Sequence, residues 1–243
     1  MRLRLVAVFL AALALVVSCK SPSVKGYWEK HTPDITDIRA AENEFAAFAE
    51  LAVGSPEQEA REEIDRLFGQ LKANEVAYFV YSEWMVSAFY SPASPCRDCA
   101  LFSYAMTSHV LKDGIVDGYD AELYERLVTA CNTNKEGTAL VLPPLNDRRG
   151  NDVVIEPGQP VLFLVVDLSC PSCLKALDKL SRKYPEARHI ALCSGPATLP
   201  DRTDWEFLRA TETDSVYDIS AAPFYFVVNS EGIIEKSYTT ATL

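Results

Sequence analysis

The chain has 243 residues, with 34 acidic against 23 basic side chains and a formal charge of −11. That balance, with no basic stripe anywhere, excludes the electrostatic footprint of a nucleic-acid binder. The length suffices for one large domain or two small ones.

The first residues read MRLRLVAVFLAALALVVSCK. Arg2 and Arg4 form a positive n-region, Leu5 to Val17 an apolar stretch, and the small Ser18 precedes Cys19. This pattern is an export signal, too short and wrongly flanked for a spanning helix. Val16-Val17-Ser18-Cys19 resembles a bacterial lipobox, which implies that Cys19 is lipidated and begins the mature protein; the alternative is an ordinary secretory signal with a chance cysteine. Several acyl chains, at ~0.8 kcal/mol per buried methylene, would make the membrane anchor effectively permanent. Lys20 follows the cysteine, and under the Gram-negative sorting rule a non-acidic residue there favours the outer membrane, facing the periplasm. Loss of Arg2 and Arg4 with the signal changes the charge from −11 to −13. The residues after the anchor, 20–26, read as a short linker.

From 27 to about 136 the apolar residues follow helical spacing. Ile35, Ile38, Phe45 and Phe48 define one segment, and Ile64, Leu67, Phe68 and Leu71 the next. Ser55-Pro56 is expected to cap and open the second, and Ser94-Pro95 a later one. Further helices are expected at about 75–90, 96–111 and 120–132. The aromatic stretch VAYFVYSEWMVSAFY, residues 76–90, reads first as core and second as a groove lining.

From 137 to 243 short β-rich runs take over: ALVLPPL, NDVVI, PVLFLVVDL, RHIALCS, FYFVV and IIEKSY. Val161 to Leu168 is apolar on both faces, as a buried central strand requires. Leu174, Leu177, Leu180 and Tyr184 then return to helical spacing, with Pro185 as the stop. Asn229-Ser230-Glu231-Gly232 is expected to link the last two strands as a hairpin.

Six cysteines lie outside the anchor: Cys96, Cys99, Cys131, Cys170, Cys173 and Cys193. The exported compartment permits disulfides, although a chain this large does not depend on them. Two pairs share the C-x-x-C spacing, so context must separate them. Cys170-Pro171-Ser172-Cys173 follows a strand and opens a helix. Unpaired N–H groups and the dipole at a helix start favour a thiolate, so Cys170 is the expected attacking sulfur and Cys173, one turn in, the resolving one. Cys96 and Cys99 lack the preceding strand; a local bridge, two thiols and a second catalytic pair all remain open. A four-cysteine zinc site is disfavoured, because some 70 residues separate the pairs where about 15 to 20 are usual. Cys131, at a helix end, reads as a core or partly buried thiol. Cys193 reads as a small buried strand residue, with partnership to the dithiol as the alternative. His31, His109 and His189 share no metal-ligand spacing and read as structural or exposed.

Strand, C-P-S-C, helix, then Ala222-Pro223 before a strand and hairpin together resemble the thioredoxin fold. The resemblance implies that Pro223 is a cis proline beside the dithiol and that Ala222 offers main-chain hydrogen bonds to a bound peptide. The other reading of Pro223 is a strand-starting proline without a role. The hairpin ALVLPPLNDRRGNDVVI resembles that of the membrane-anchored TlpA/ResA subgroup. GYW, SPASPCRD and NKEGTA resemble a helical domain of unknown function placed before thioredoxin-like domains in Bacteroidetes lipoproteins. The sequence departs from the family in four places. Ser169 stands where tryptophan is usual. Leu164 and Ala176 occupy the positions of the two expected acids, with Asp167 or water as candidate substitutes. The chain ends at Leu243, without room for the fold's last helix.

The expected fold is therefore α+β with two domains: an all-α domain over 27–136 and a thioredoxin-like α/β domain with a mixed central sheet over 137–243. The expected function is thiol–disulfide exchange with protein thiols and disulfides by Cys170 and Cys173, with Ala222 and Pro223 shaping the peptide groove. It needs a redox partner to reset the dithiol and no metal or organic cofactor. The rival is a non-catalytic envelope lipoprotein that uses both domains as a binding module.

Overall fold

A computed structural model describes residues 23–194, 198–211 and 222–240. The export signal, Cys19 and residues 20–22 lie outside the described residues. Among the described residues, no helix is long and apolar enough to cross a membrane.

The first part is helical: α1 Tyr27–Lys30, α2 Ile38–Val53, α3 Glu57–Leu71, α4 Glu75–Met85, α5 Cys99–Ala105 and α6 Gly118–Asn132. Helices α4 and α5 each run on into a π-helical turn, Val86–Tyr90 and Met106–Val110, that helical spacing did not foretell. Asp37, Asn74 and Asp98 cap α2, α4 and α5 by accepting backbone N–H bonds from Ala40, Ala77, and Ala100 with Leu101.

Both serine–proline signals differ from expectation. Ser55 Oγ donates to the Leu51 carbonyl and accepts from Val24 N–H, so Pro56, without a capping side chain, holds the cap position of α3. Ser94 Oγ accepts from Cys96 N–H, and helix α5 waits until Cys99, because the Asp98 carboxylate can take two orphan N–H groups at once.

The stretch read as a linker is docked at its far end. Val24 is fully buried, and the buried Glu63 carboxylate accepts N–H bonds from Gly26 at 2.7 Å and Trp28 at 2.9 Å, with Arg66 as its counter-charge. Ring packing of Trp28, Phe45, Phe48, Tyr81 and Phe89 fills the core behind it. The aromatic stretch 76–90 is mainly core: Tyr78, Tyr81, Met85 and Phe89 are fully buried. Trp84 lies half-buried on the wall of a cavity of about 230 Å³ shared with Phe45 and Cys96.

Cys99 is disulfide-bonded to Cys131, joining α5 to α6. This corrects the expected alternatives: Cys99 does not bridge to Cys96, and Cys131 is not a thiol. Helix pairing brought together cysteines 32 positions apart, a contact that local spacing does not encode.

The second part is a six-stranded mixed sheet of order β1-β4-β3-β2-β5-β6, with β1 Leu145–Asn146, β2 Val161–Asp167, β3 Arg188–Ser194, β4 Glu206–Ala210, β5 Phe224–Val228 and β6 Ile234–Thr240. Helix α7, Pro171–Lys183, connects β2 to β3. Strand β2 is central, parallel to β3 and antiparallel to β5, and six of its seven residues are buried. Its odd-numbered side chains from Val161 join one apolar layer with Leu140, Leu142, Val153 and Ile155; its even-numbered ones join the layer under α7. The run 139–145 yields only Leu145 of β1 plus an isolated bridge from Ala139 to Ile233, and the run 151–155 only the bridge from Asn146 to Asp152. Strand β4 has no continuous apolar pattern in the sequence, since Glu206 and Arg209 interrupt it. The hairpin between β5 and β6 turns at Asn229–Gly232, where Asn229 Oδ1 accepts N–H bonds from Glu231 and Ile233 and Gly232 takes φ 82°.

Closing a loop of this length confines the unfolded chain, so replacing Cys99 and Cys131 with serine should cost about 4 kcal/mol of stability, measured by urea unfolding. An unchanged midpoint would show that the bridge contributes nothing.

Candidate dithiol site

Strand β2 ends at Asp167, and α7 begins four residues later. The turn between them is built by Asp167. Its carboxylate accepts from Ser169 N–H at 2.8 Å and from Ser169 Oγ–H at 2.7 Å, and its carbonyl accepts from Cys170 N–H at 3.0 Å. Those side-chain and backbone bonds from Ser169 hold the exposed Asp167 carboxyl below the usual carboxylate range.

Cys170 occupies the cap position of α7, followed by Pro171 at the first helical position, where the missing N–H is harmless. The Cys170 carbonyl accepts from Cys173 N–H at 3.1 Å and Leu174 N–H at 3.4 Å. Cys170 is half-buried and Cys173 fully buried, one turn in on the face that meets the sheet. Burial pushes the Cys173 thiol up to about 12; a backbone bond at Asp167 opposes the rise, and its hydrogen bond to Cys170 and the Asp167 charge add to it.

The peptide bond Ala222–Pro223 is cis. Because Val165 pairs with Phe224, this dipeptide flanks the end of β2, and Ala222 packs on the same apolar layer as Cys170 and Cys173. Leu164 and Ala176 are fully buried in that layer. Of the two substitutes considered for the missing acids, Asp167 is committed to Ser169.

Cys193 shares this layer with Cys173. Burial raises its thiol to about 12, with the Arg209 charge opposing and Cys173 adding. Arg209 pairs with Cys193 across β3 and β4. Alternation along the strand was the available signal for this placement: Ala191 and Cys193 face α7, Ile190 and Leu192 face away.

The remaining candidates lie elsewhere. Cys96 is a buried thiol in the helical part, and burial raises its pKa, with Glu50 adding. His31 meets Glu44 at 2.5 Å, His109 meets Asp65 at 2.7 Å while stacked on Phe68, and His189 faces the carbonyls of Tyr184 and Asp204. Among the described residues no three His, Cys, Asp or Glu side chains are grouped as metal ligands.

A thiol whose pKa is higher in the folded chain than in the unfolded one stabilises the fold below the unfolded value and loses that contribution as pH rises toward the folded value. Cys173 and Cys193 both shift this way, so stability should fall between about pH 9 and 12 with a slope of at most ~1.4 kcal/mol per pH unit for each group. Tyr81, also raised by burial, to about 12, contributes to the same decline. Urea unfolding across this range should show a shallower slope for Cys193→Ala than for wild type; parallel slopes would contradict the burial of that thiol.

Comparison with known proteins returned structural matches only: no family model and no curated protein matches the chain. A thioredoxin-like protein from Bacteroides caccae superposes with a TM-score of 0.69 at 14% identity, covering 90% of this chain and 87% of that one. A thiol:disulfide interchange protein from a Bacteroides species matches 42% of this chain and 79% of its own at 19% identity, with a TM-score of 0.33. The thioredoxin domain of a thiol-disulfide oxidoreductase from Bacteroides vulgatus matches 41% and 85% at 18% identity, with a TM-score of 0.32. The match across nine-tenths of the chain identifies the architecture: a thioredoxin-like fold with a helical part ahead of it.

Proposed function

We propose that this chain is an envelope thiol–disulfide oxidoreductase acting on protein substrates. The observation that carries the reading is the placement of two thiols one turn apart at the start of α7, the outer half-buried and the inner fully buried, beside a cis Ala222–Pro223 peptide. Cys170, at the helix start, attacks a substrate disulfide or is attacked when oxidised. Cys173 resolves the mixed disulfide, and Ala222 with Pro223 forms the wall against which an extended peptide lies. Sulfur exchange of this kind needs no metal or organic cofactor, only a second redox protein that resets the pair.

The export signal and the lipobox resemblance support a lipid-anchored location at Cys19, on the outer membrane and facing the periplasm. Val24 is already buried in the body. Four residues separate it from the proposed anchor, so the chain could span no more than roughly 18 Å between the two. The helical part would then lie close to the membrane.

Reduction of insulin disulfides by a thiol donor tests the reading. Wild type should accelerate it, and Cys170→Ser should return the rate to the uncatalysed background. Equal background rates for both proteins would leave the binding-module alternative.

A further inference from the structure

A resolving thiol must lose its proton before it can attack, so what surrounds Cys173 sets how long a mixed disulfide lives. This inference rests on the thiol–disulfide reading above. Cys170, Asp167 and Cys193 interact with Cys173, Arg209 and Tyr225 lie on the neighbouring strands, and none is suited to take its proton. Asp167, at the end of β2, holds its carboxylate on Ser169 N–H and Oγ–H. Cys193 on β3 is itself a fully buried thiol. Arg209 on β4, in register with Cys193, is a cation. The Tyr225 hydroxyl on β5 meets Lys183 and Tyr184 at the far end of α7, at 3.2 and 3.4 Å. Cys170 is the sulfur consumed in the mixed disulfide. Leu164 and Ala176 belong to the apolar layer that buries Cys173.

We propose that the chain is a covalent-capture catalyst: Cys170 bonds to a partner sulfur, and the mixed disulfide persists because, among the described residues, Cys173 has no proton acceptor beside it. In the first step the Cys170 thiolate attacks one sulfur of a partner disulfide. A Cys170–partner S–S bond forms, the partner's own S–S bond breaks, and the released thiolate takes a proton from water. In the second, the Cys173 proton passes to solvent hydroxide and the new thiolate attacks Cys170 Sγ. The Cys170–Cys173 disulfide forms as the mixed bond breaks, and the partner leaves reduced, two electrons having passed from dithiol to partner.

The magnitude follows from the proton loss. The value of about 12 includes what the Cys170 thiol adds, which is lost in the mixed disulfide, so it is an upper limit there and the thiolate fraction at pH 7 is at least about 10⁻⁵, against ~3% for an ordinary thiol. At that limit the more basic thiolate is roughly fortyfold more nucleophilic, which leaves resolution at most roughly a hundredfold slower than for an ordinary thiol.

The test mixes the reduced full chain with oxidised glutathione, quenches in acid and weighs the intact protein by mass spectrometry. At pH 7 a Cys170–glutathione adduct should accumulate as the main species, then decay with a rate constant that rises about tenfold per pH unit between pH 7 and 9. Cys173→Ser should hold the same adduct without decay. Ala176→Asp places a carboxylate one turn below Cys173 on the same face and should speed decay at pH 7 at least tenfold. The wild-type pH series stands whether or not that variant folds. A Cys170–Cys173 disulfide that forms in wild type without the adduct accumulating, or an adduct that decays at a pH-independent rate, overturns the inference and leaves the oxidoreductase reading in place. A wild type that, like Cys170→Ser, forms neither the adduct nor that disulfide overturns both.

Discussion

Strand β2 has no solvent face, and the second half of the molecule is arranged around that constraint. A strand buried on both sides must have a layer on each, so the hairpin segment covers one face and α7 the other. Parallel pairing with β3 needs a crossover, and α7 is that crossover. The start of α7 therefore falls at the end of the most deeply buried strand. Antiparallel pairing with β5 brings the cis Ala222–Pro223 peptide to the same end. The two thiols and the peptide bond meet there because two strand pairings and one crossover converge, not because of attraction among the side chains.

The same burial that orders the site governs its chemistry. Cys173 packs where Leu164, Ala176 and Cys193 exclude water, and low polarity favours the neutral thiol. Cys170, half-buried, holds the cap position of α7, at the positive end of the helix dipole. On the proposed reading, this contrast in burial between the two sulfurs separates capture from release. The helical part places its one buried carboxylate differently. Glu63 accepts two backbone N–H bonds and faces Arg66, so its charge anchors the entering chain instead of taking part in proton transfer.

Much of this was legible in the residues. Helical spacing located α2, α3, α4 and α6, the unbroken apolar run located β2, and the Asn-Ser-Glu-Gly turn located the last hairpin. These signals are local, and burial reinforces each. What was misread involved competition. Ser55 and Ser94 have capping chemistry but bonded elsewhere, because Val24 and Cys96 offered N–H partners that local pattern does not reveal. Strand β4 carries Glu206 and Arg209, so its pairing with β3, not its composition, makes it a strand.

The sulfurs divide along the same line. By itself the sequence determined that Cys170 and Cys173 lie one turn apart at a helix start behind a buried strand, since spacing, a proline and an apolar run are all local. Only the tertiary structure decided that Cys99 bonds to Cys131 and that Cys193 shares the layer of Cys173. Each of these depends on which elements pack together, and contacts between distant segments have no period in the chain.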